Sequence, residues 1–468
     1  MAREITPEEK KTVTDMIARA RAAMEQIKDY DQAQVDRLAQ AIGWACGNEK
    51  TFVRIAQMGV DESGVGDREN RAGKRFKILG VLRDALREKS VGVIEVNEAK
   101  GITKIAKPAG VIASLIPMTN PELTPPVTAI YAVKCKNAVI FSPHPRSRKT
   151  TFEMTRVMRE TLKKLGAPAD IFQCVEKPSI PLSAELMAEC DLTLATGGRP
   201  MVKAAYSSGR PAYGVGAGNS TMVIDETADI KEAALNSRLS KTSDFGSGCS
   251  ADGNLLMDER IYDAMRDALV AEGGHLCSQE EKAKLEKVMW DADGHRNIET
   301  VAIAPQKIAQ IAGFSIPADR KFIMVEQEQI GKEHRFSSEK LSVVMALFKY
   351  RGFDDALKKV AQIYEVGGKG HSCGIYSFND EHIARLAAIA PVSRMMVRQP
   401  QSKANAGAFN NGMPMTSSLG CGIWGGNITN ENIALKHYMN VTWVSRPIPE
   451  DRPSDAELFG EFYNTEAL

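Results

Sequence analysis

Apolar and polar positions along the chain alternate in two distinct regimes. From residue 6 to about 90, apolar residues recur among charged ones, as in DQAQVDRLAQAIGWAC (31–46), and predict helices with charged faces. The first helix has a start signal at Thr6-Pro7-Glu8-Glu9: a Thr cap, Pro in the first turn and Glu three residues after the cap. Next, VGVIEVNEAKGITKIAKPAGVIASLIP (91–117) predicts short strands separated by turn residues. Strands and helices then alternate. GVIASLIP (110–117), NAVIFSP (137–143), DLTLATGG (191–198) and STMVI (220–224) predict four strands. TPPVTAIYAVKCK (124–136), TFEMTRVMRETLKKLG (151–166) and MVKAAYSSG (201–209) predict helices between them. Such alternation favours a parallel sheet covered on both faces, with ligands at the carboxyl ends of its strands.

The pattern restarts after Asp229. IKEAALNSRLSKTS (230–243) is helical, Gly246 to Asn254 is a loop of small residues, and LLM (255–257) is apolar. Long helices are expected over 259–292. A second strand and helix series runs through FIMVEQ (322–327), LSVVMALFKY (341–350), FDDALKKVAQIYEV (353–366) and SCGIYSF (372–378). The expected fold class is therefore α/β, with one unit over 1–230, a second over 231–435 and a tail over 436–468. The tail, HYMNVTWVSRPIPEDRPSD (437–455), is strand-like and then Pro-rich. Such a strand pairs either with another subunit or with its own chain.

Composition narrows the function classes. A net charge of +1 gives no electrostatic reason to expect nucleic acid or an anionic membrane surface as a partner. No apolar run approaches the roughly 18 residues of a membrane helix, and the N-terminus lacks the apolar core of a secretory signal. A cytoplasmic protein is expected. The eight cysteines are scattered without a C-x-x-C pair, which argues against a disulfide framework and against a zinc site; no metal is expected.

Several segments carry candidate chemistry. In SDFGSGCSADGN (243–254), Cys249 sits among Gly246, Ser247, Gly248, Ser250 and Gly253 rather than in an apolar run. Small neighbours leave a thiol open to substrate and let a backbone N–H approach an oxygen that gains charge. An incidental cysteine in a flexible loop has the same appearance. IPMTNPELTPP places Asn120 at the end of a buried strand, where its amide reaches a crevice or simply makes an Asn-Pro turn. ATGGRPMVKAAYSSG is a strand, a glycine turn at Gly197 and Gly198, and a helix whose N-terminus suits a phosphate. FSPHPRSRKT places His144, Arg146, Arg148 and Lys149 after another strand, as an adenosine perch or a solvated basic loop. VGGKGHSCG sets His371 between glycines and a strand, and LGCGIWGGNITNEN is glycine-dense around Trp424.

Taken in order, IPMTNP, SPHPR, ATGGRPMVKAAYSSG, GVGAGN, the Cys249 loop, SSEKLS, GGKGHS and LGCGIWGGNITNEN resemble the aldehyde dehydrogenase superfamily, specifically its coenzyme A-acylating branch. The resemblance spans about residues 100–440. It implies two parallel-sheet Rossmann-type domains plus a strand-rich oligomerisation element, a homodimer or homotetramer, and NAD(P) and coenzyme A as reactants. It assigns Cys249 as nucleophile, Asn120 with the Cys249 N–H as oxyanion hole, and His371 beside the thioester. Glu339 would hold the nicotinamide ribose. Ser142, His144, Arg146, Thr196, Gly197, Gly198 and Gly216 would contact the dinucleotide.

One departure carries chemical meaning. Hydrolytic members of the superfamily hold a Glu that activates water where this chain has Gly214 in GVGAG. A thioester that water does not readily attack waits for a better nucleophile, and a thiol is one. The stretch VSRMMVRQPQSKANAGAFNNGMPMTSS (392–418) lies where the family approaches the aldehyde's far end. Its cations and amides, with Lys403, Arg398 and Asn410 foremost, suit an anionic tail. QPQSKANAGAFNNGMPMTSSLGCGIWGGN resembles the members that act on sulfoacetaldehyde, which implies NADP; succinate semialdehyde is the nearest competitor.

Overall fold

The structure, a computed structural model, describes residues 3–464. Helix Pro7–Gln26 starts as its sequence demands: Thr6 and Glu9 form a reciprocal capping box, with Pro7 in the first turn. Helices Gln32–Gly47, Glu49–Ser63 and Arg75–Arg87 pack on helices Thr124–Lys134 and Arg148–Lys164, and these two, with Pro7–Gln26, cover a five-stranded parallel sheet. Its order is Phe172–Cys174, Ala138–Pro143, Val111–Ile116, Leu192–Thr196, Ala212–Val215. Numbered along the chain these strands run 3-2-1-4-5, so the direction of winding reverses between Val111–Ile116 and Leu192–Thr196. Val111–Ile116 and Ala138–Pro143 are buried throughout, as strands covered on both faces must be.

A seven-stranded parallel sheet forms the second core. Its order is Gly274–Leu276, Phe322–Glu326, Val344–Tyr350, Asn254–Asp258, Thr221–Ile224, Cys373–Tyr376, Met395–Val397. Here the sequence reading needs correction. Thr221–Ile224, expected as a fourth strand of the first sheet, lies between Asn254–Asp258 and Cys373–Tyr376 in the second. All four of its residues are buried, and a run apolar on both faces does not say which sheet it joins. The change of sheet therefore falls at 216–220, ahead of the expected boundary near 230. The far boundary shifts too: Met415, Ile433, Ala434 and Leu435, expected in the second unit, pack in the first core. The edge strands Gly274–Leu276 and Met395–Val397 are three-residue pieces that periodicity did not reveal.

The tail strand Met439–Ser445 pairs antiparallel with Ile102–Pro108 of the same chain, with Val441 opposite Ala106. Gly92–Asn97 completes this three-stranded sheet, which leaves Val93, Val96, Val441 and Trp443 exposed. Among the described residues, no helix is long and apolar enough to cross a membrane.

Candidate active site

The two parallel sheets bring different ends to one cleft. The first contributes the carboxyl ends of its strands, and the second the loops that enter its strands from the amino side. Cys249 lies in one of these loops, ahead of Asn254–Asp258. The chain reaches it through three successive left-handed residues, Asp244 (φ 48°), Phe245 (φ 50°) and Gly246 (φ 69°). For the two that are not glycine, this conformation costs of order 1–3 kcal/mol each. Fixed contacts of Asp244 offset that cost. Its buried carboxylate accepts from the Asp67 N–H (2.8 Å), the Ser247 hydroxyl (2.6 Å) and Lys74 Nζ (2.5 Å). On the other side, Gly218 permits close approach: a Cβ there would lie 1.9 Å from the Cys249 carbonyl oxygen.

His371 Nε2 stands 2.9 Å from Cys249 Sγ. Its other nitrogen, Nδ1, is 2.9 Å from Ser372 Oγ, which in turn pairs with Ser220 Oγ at 3.0 Å. If Nδ1–H donates to Ser372, Nε2 is left to accept the thiol proton. Burial pushes the thiol up to about 12, helped by the nearby Glu339 carboxylate. Burial and the Arg394 charge push the imidazole down to about 3. The resting pair is thus an uncharged thiol and an uncharged base. Arg394 is itself buried. It donates to the carbonyls of His371 (2.9 Å), Gly420 and Asn430 (3.1 Å). Its charge favours the anionic form of Cys249.

Asn120 lies midway along the loop between Val111–Ile116 and helix Thr124–Lys134. Its Oδ1 accepts from Lys74 Nζ at 2.7 Å. Because an ammonium only donates, this contact sets the oxygen toward Lys74 and turns the amide N–H groups away from it. Glu339 accepts from the Gly218 N–H at 2.9 Å and lines the same small cavity as Cys249, Gly248, Lys241 and Lys340.

The dinucleotide candidates lie at the carboxyl ends of Ala138–Pro143, Leu192–Thr196 and Ala212–Val215, on both sides of the winding reversal. Gly198 precedes helix Arg199–Tyr206, which has no side-chain cap, and a Cβ on Gly198 would meet only Pro200 Cδ at 3.7 Å. An uncapped helix start with open space before it suits a pyrophosphate. Several nearby side chains are already occupied locally. Ser142 Oγ pairs with Ser183 Oγ (2.9 Å), and Thr196 Oγ1 with Ser418 Oγ (3.3 Å). His144 Nδ1 accepts from the Arg146 N–H (3.2 Å), and Arg146 donates to the Ser63 carbonyl (3.0 Å). Arg148 and Lys149 are exposed. Gly216 packs against Cys421, whose Sγ would lie 3.2 Å from an added Cβ.

The three residues singled out for the aldehyde tail do not come to Cys249. Arg398 follows Met395–Val397 and donates to the Ser377 carbonyl at 2.6 Å, with its guanidinium over Phe378. Ser377 follows the strand whose start carries His371, so Arg398 lies at the opposite end of the sheet. Lys403 is exposed, with the Arg238 charge acting on it, and Asn410 is exposed as well. A basic stretch shows charge but not direction: Arg398 leaves at the far end of the sheet, and Lys403 and Asn410 turn to solvent. The groups that do meet the site, Lys74, Asp244 and Arg394, carry no motif of their own. Lys74 sits in RENRAGKRFK, a segment that reads as a charged surface.

Gly214 explains itself in the structure. An added Cβ would fall 2.6 Å from Val202 Cγ1 and 2.7 Å from Tyr206 Cε2. The position is filled from the neighbouring helix, so no side chain stands there to activate water.

A cysteine thiol in contact with a histidine, facing a Rossmann-type crevice, is the arrangement an oxidoreductase of the aldehyde dehydrogenase class requires. Residues 2–287 match the aldehyde dehydrogenase family, and the chain belongs to it, within the NAD(P)-dependent coenzyme A-acylating branch. It is 44% identical over 455 residues to a sulfoacetaldehyde dehydrogenase of Acholeplasma sp., covering 96% of this chain and 94% of the relative. It is 39% identical over 458 residues to an acylating sulfoacetaldehyde dehydrogenase of Bilophila wadsworthia, with 97% and 99% covered. An acetylating succinate-semialdehyde dehydrogenase of Clostridium kluyveri is 35% identical over 452 residues, with 96% and 99% covered. Among solved structures, an acetylating aldehyde dehydrogenase from Geobacillus thermoglucosidasius superposes with a TM-score of 0.92 at 35% identity, covering 96% and 99%. A propionaldehyde dehydrogenase from Rhodopseudomonas palustris, with bound CoA and an acylated cysteine, superposes at 0.82 with 25% identity, covering 93% and 97%.

Proposed function

We propose that this enzyme oxidises sulfoacetaldehyde to sulfoacetyl-CoA, with NADP⁺ as the favoured oxidant, through a thioester on Cys249. The carrying observation is the 2.9 Å contact between Cys249 Sγ and His371 Nε2. In attack, Sγ bonds to the carbonyl carbon as its proton passes to His371 Nε2. The carbonyl oxygen takes the electron pair, and the Asn120 amide and the Cys249 N–H donate to it. Each such donor is worth about 3–4 kcal/mol in the transition state. A bound nicotinamide would supply the acceptor for the hydride that leaves the carbonyl carbon, and Glu339 and the Gly197-Gly198 turn would hold it. The carbon–oxygen double bond reforms, and Cys249 carries the acyl group. His371 relays protons during thiol exchange: the coenzyme A sulfur bonds to the acyl carbon as the Cys249 sulfur leaves and is reprotonated. With no carboxylate at 214, water is a poor competitor for this thioester. All steps reverse.

Sulfoacetaldehyde as substrate rests on full-length similarity to relatives so named, and succinate semialdehyde is the second reading for the corresponding reason. NADP⁺ is supported by the exposed Arg148 and Lys149 after the second strand, where a 2′-phosphate is met. The eight free cysteines suit a reducing cytoplasm. Assembly into dimers or tetramers through the exposed face of the three-stranded sheet is supported by its unpaired edges and by Trp443 and Val441. The deciding experiment follows cofactor reduction with sulfoacetaldehyde, succinate semialdehyde and acetaldehyde, with and without coenzyme A. Strict coenzyme A dependence and preference for sulfoacetaldehyde are expected. Equal reduction without coenzyme A would replace the acylating reading with a hydrolytic one.

A further inference from the structure

We infer that Lys74 is a positioning residue for the oxyanion hole, holding the Asn120 amide in its productive orientation and tying it to the nucleophile loop through Asp244. The inference rests on the assignment of Asn120 given above.

An asparagine amide has two nearly isosteric ends, and only one of them donates. Flipped, Asn120 would present Oδ1 to a developing oxyanion and repel it. Asn120 itself offers little against the flip: its Nδ2 makes a weak contact, to Thr119 Oγ1 at 3.5 Å. Lys74 supplies the missing bias. Its Nζ meets three acceptors, Asn120 Oδ1 at 2.7 Å, the Thr119 carbonyl at 3.1 Å and Asp244 Oδ2 at 2.5 Å. With three N–H groups and three acceptors, the ammonium is saturated. A flipped amide would face it with N–H groups instead. The surroundings hold Lys74 in turn. Arg71, fully buried, donates to both carboxylate oxygens of Glu122 (2.9 and 3.0 Å) and to the Thr119 carbonyl (2.7 Å). Asp244, the third member, opens the left-handed run that leads to Cys249. One ammonium therefore joins the donor side and the nucleophile side of the site, which come from different sheets. Placement of such groups to within about an ångström governs turnover.

A double-mutant cycle tests this, with Lys74→Met, Asn120→Ala and the pair, assayed by coenzyme A-dependent cofactor reduction. Lys74→Met is expected to lower kcat about tenfold or more while leaving KM for coenzyme A within about twofold. In the Asn120→Ala background the same change is expected to cost less than about twofold, because the group it positions is gone. Lys74→Arg, which keeps a donor-only cation, is expected to recover part of kcat. Alkylation of Cys249 by iodoacetamide should change by less than about twofold in Lys74→Met, since the thiol and His371 are untouched. Should Lys74→Met not fold once Asp244 loses its lysine, Lys74→Met/Asp244→Asn replaces it on both sides of the cycle, with Asp244→Asn as its reference. Losses that multiply in the combined variant would overturn the inference, as would full kcat in Lys74→Met beside a crippled Asn120→Ala. Full kcat in Asn120→Ala alone would instead remove the oxyanion-hole assignment, and this inference with it.

Discussion

Cys249 Sγ and His371 Nε2 lie 2.9 Å apart, although 122 residues separate them in the chain. Both groups are uncharged at neutral pH, because burial raises the thiol to about 12 and lowers the imidazole to about 3. The nucleophile is thus made during attack, by proton transfer, rather than stored as a thiolate. His371→Ala is therefore expected to lower kcat by about 10²-fold or more, in line with the contribution of a placed general base. Iodoacetamide labelling of Cys249 should slow in parallel. Labelling at the wild-type rate would remove His371 from this role.

The direction of these shifts also sets a pH profile. A base lowered to about 3 stays unprotonated at every pH above 5. Lowering pH from 8 to 5 should therefore leave the log kcat/KM profile of the free enzyme without an acid limb from His371. A limb near the ordinary imidazole range, lost in His371→Ala, would show that the histidine is far better solvated than its surroundings here indicate.

Gly214→Glu asks whether a single carboxylate converts acyl transfer to hydrolysis. The new side chain must displace Val202 Cγ1 and Tyr206 from 2.6 and 2.7 Å. Overpacking of this kind costs about 1–3 kcal/mol, which thermal unfolding would register as a lower Tm. Coenzyme A-independent turnover is not expected to appear. If it does, the neighbouring helix is a softer wall than it looks.

Gly218→Ala should be more damaging than Gly214→Ala. At 218 the added methyl meets backbone, the Cys249 carbonyl oxygen at 1.9 Å, whereas at 214 it meets side chains that can turn. The loop carrying the nucleophile has to move, and a loss of about 10²-fold or more in kcat is expected. Wild-type turnover in Gly218→Ala would mean that the two segments slide apart without consequence for Cys249.

Lys403→Ala and Asn410→Ala are expected to leave kcat/KM for sulfoacetaldehyde within about twofold, as exposed substitutions away from a site do. Arg398→Ala exposes the Ser377 carbonyl and should touch stability more than kinetics. A selective loss with anionic aldehydes in any of the three would place that residue on the substrate's path.

Much of this site was legible in the chain alone. Small residues around Cys249, glycines around His371 and the missing carboxylate at Gly214 are local signals, because reactivity needs access and access needs small neighbours. Helix starts were legible for a similar reason: the Thr6–Glu9 box is closed by four consecutive residues. The inner strands of both cores announced themselves as apolar runs, whereas the edge strands Phe172–Cys174, Ala212–Val215, Gly274–Leu276 and Met395–Val397 did not. Which sheet each strand joined did not, and Thr221–Ile224 was read into the wrong one, since pairing is a contact between distant segments. Charge failed in the same way. Lys403 and Arg398 looked like anion ligands, but Lys403 is exposed and Arg398 is held at Ser377, while Lys74, hidden in a charged helical stretch, reaches Asn120 across 46 residues and Asp244 across 170. The chain alone was enough to single out Cys249 as a candidate nucleophile, because that reading depends on residue type and immediate neighbours. The orientation of the groups that serve it was decided only by tertiary structure, because a side chain's direction is set by which sheet end its loop leaves.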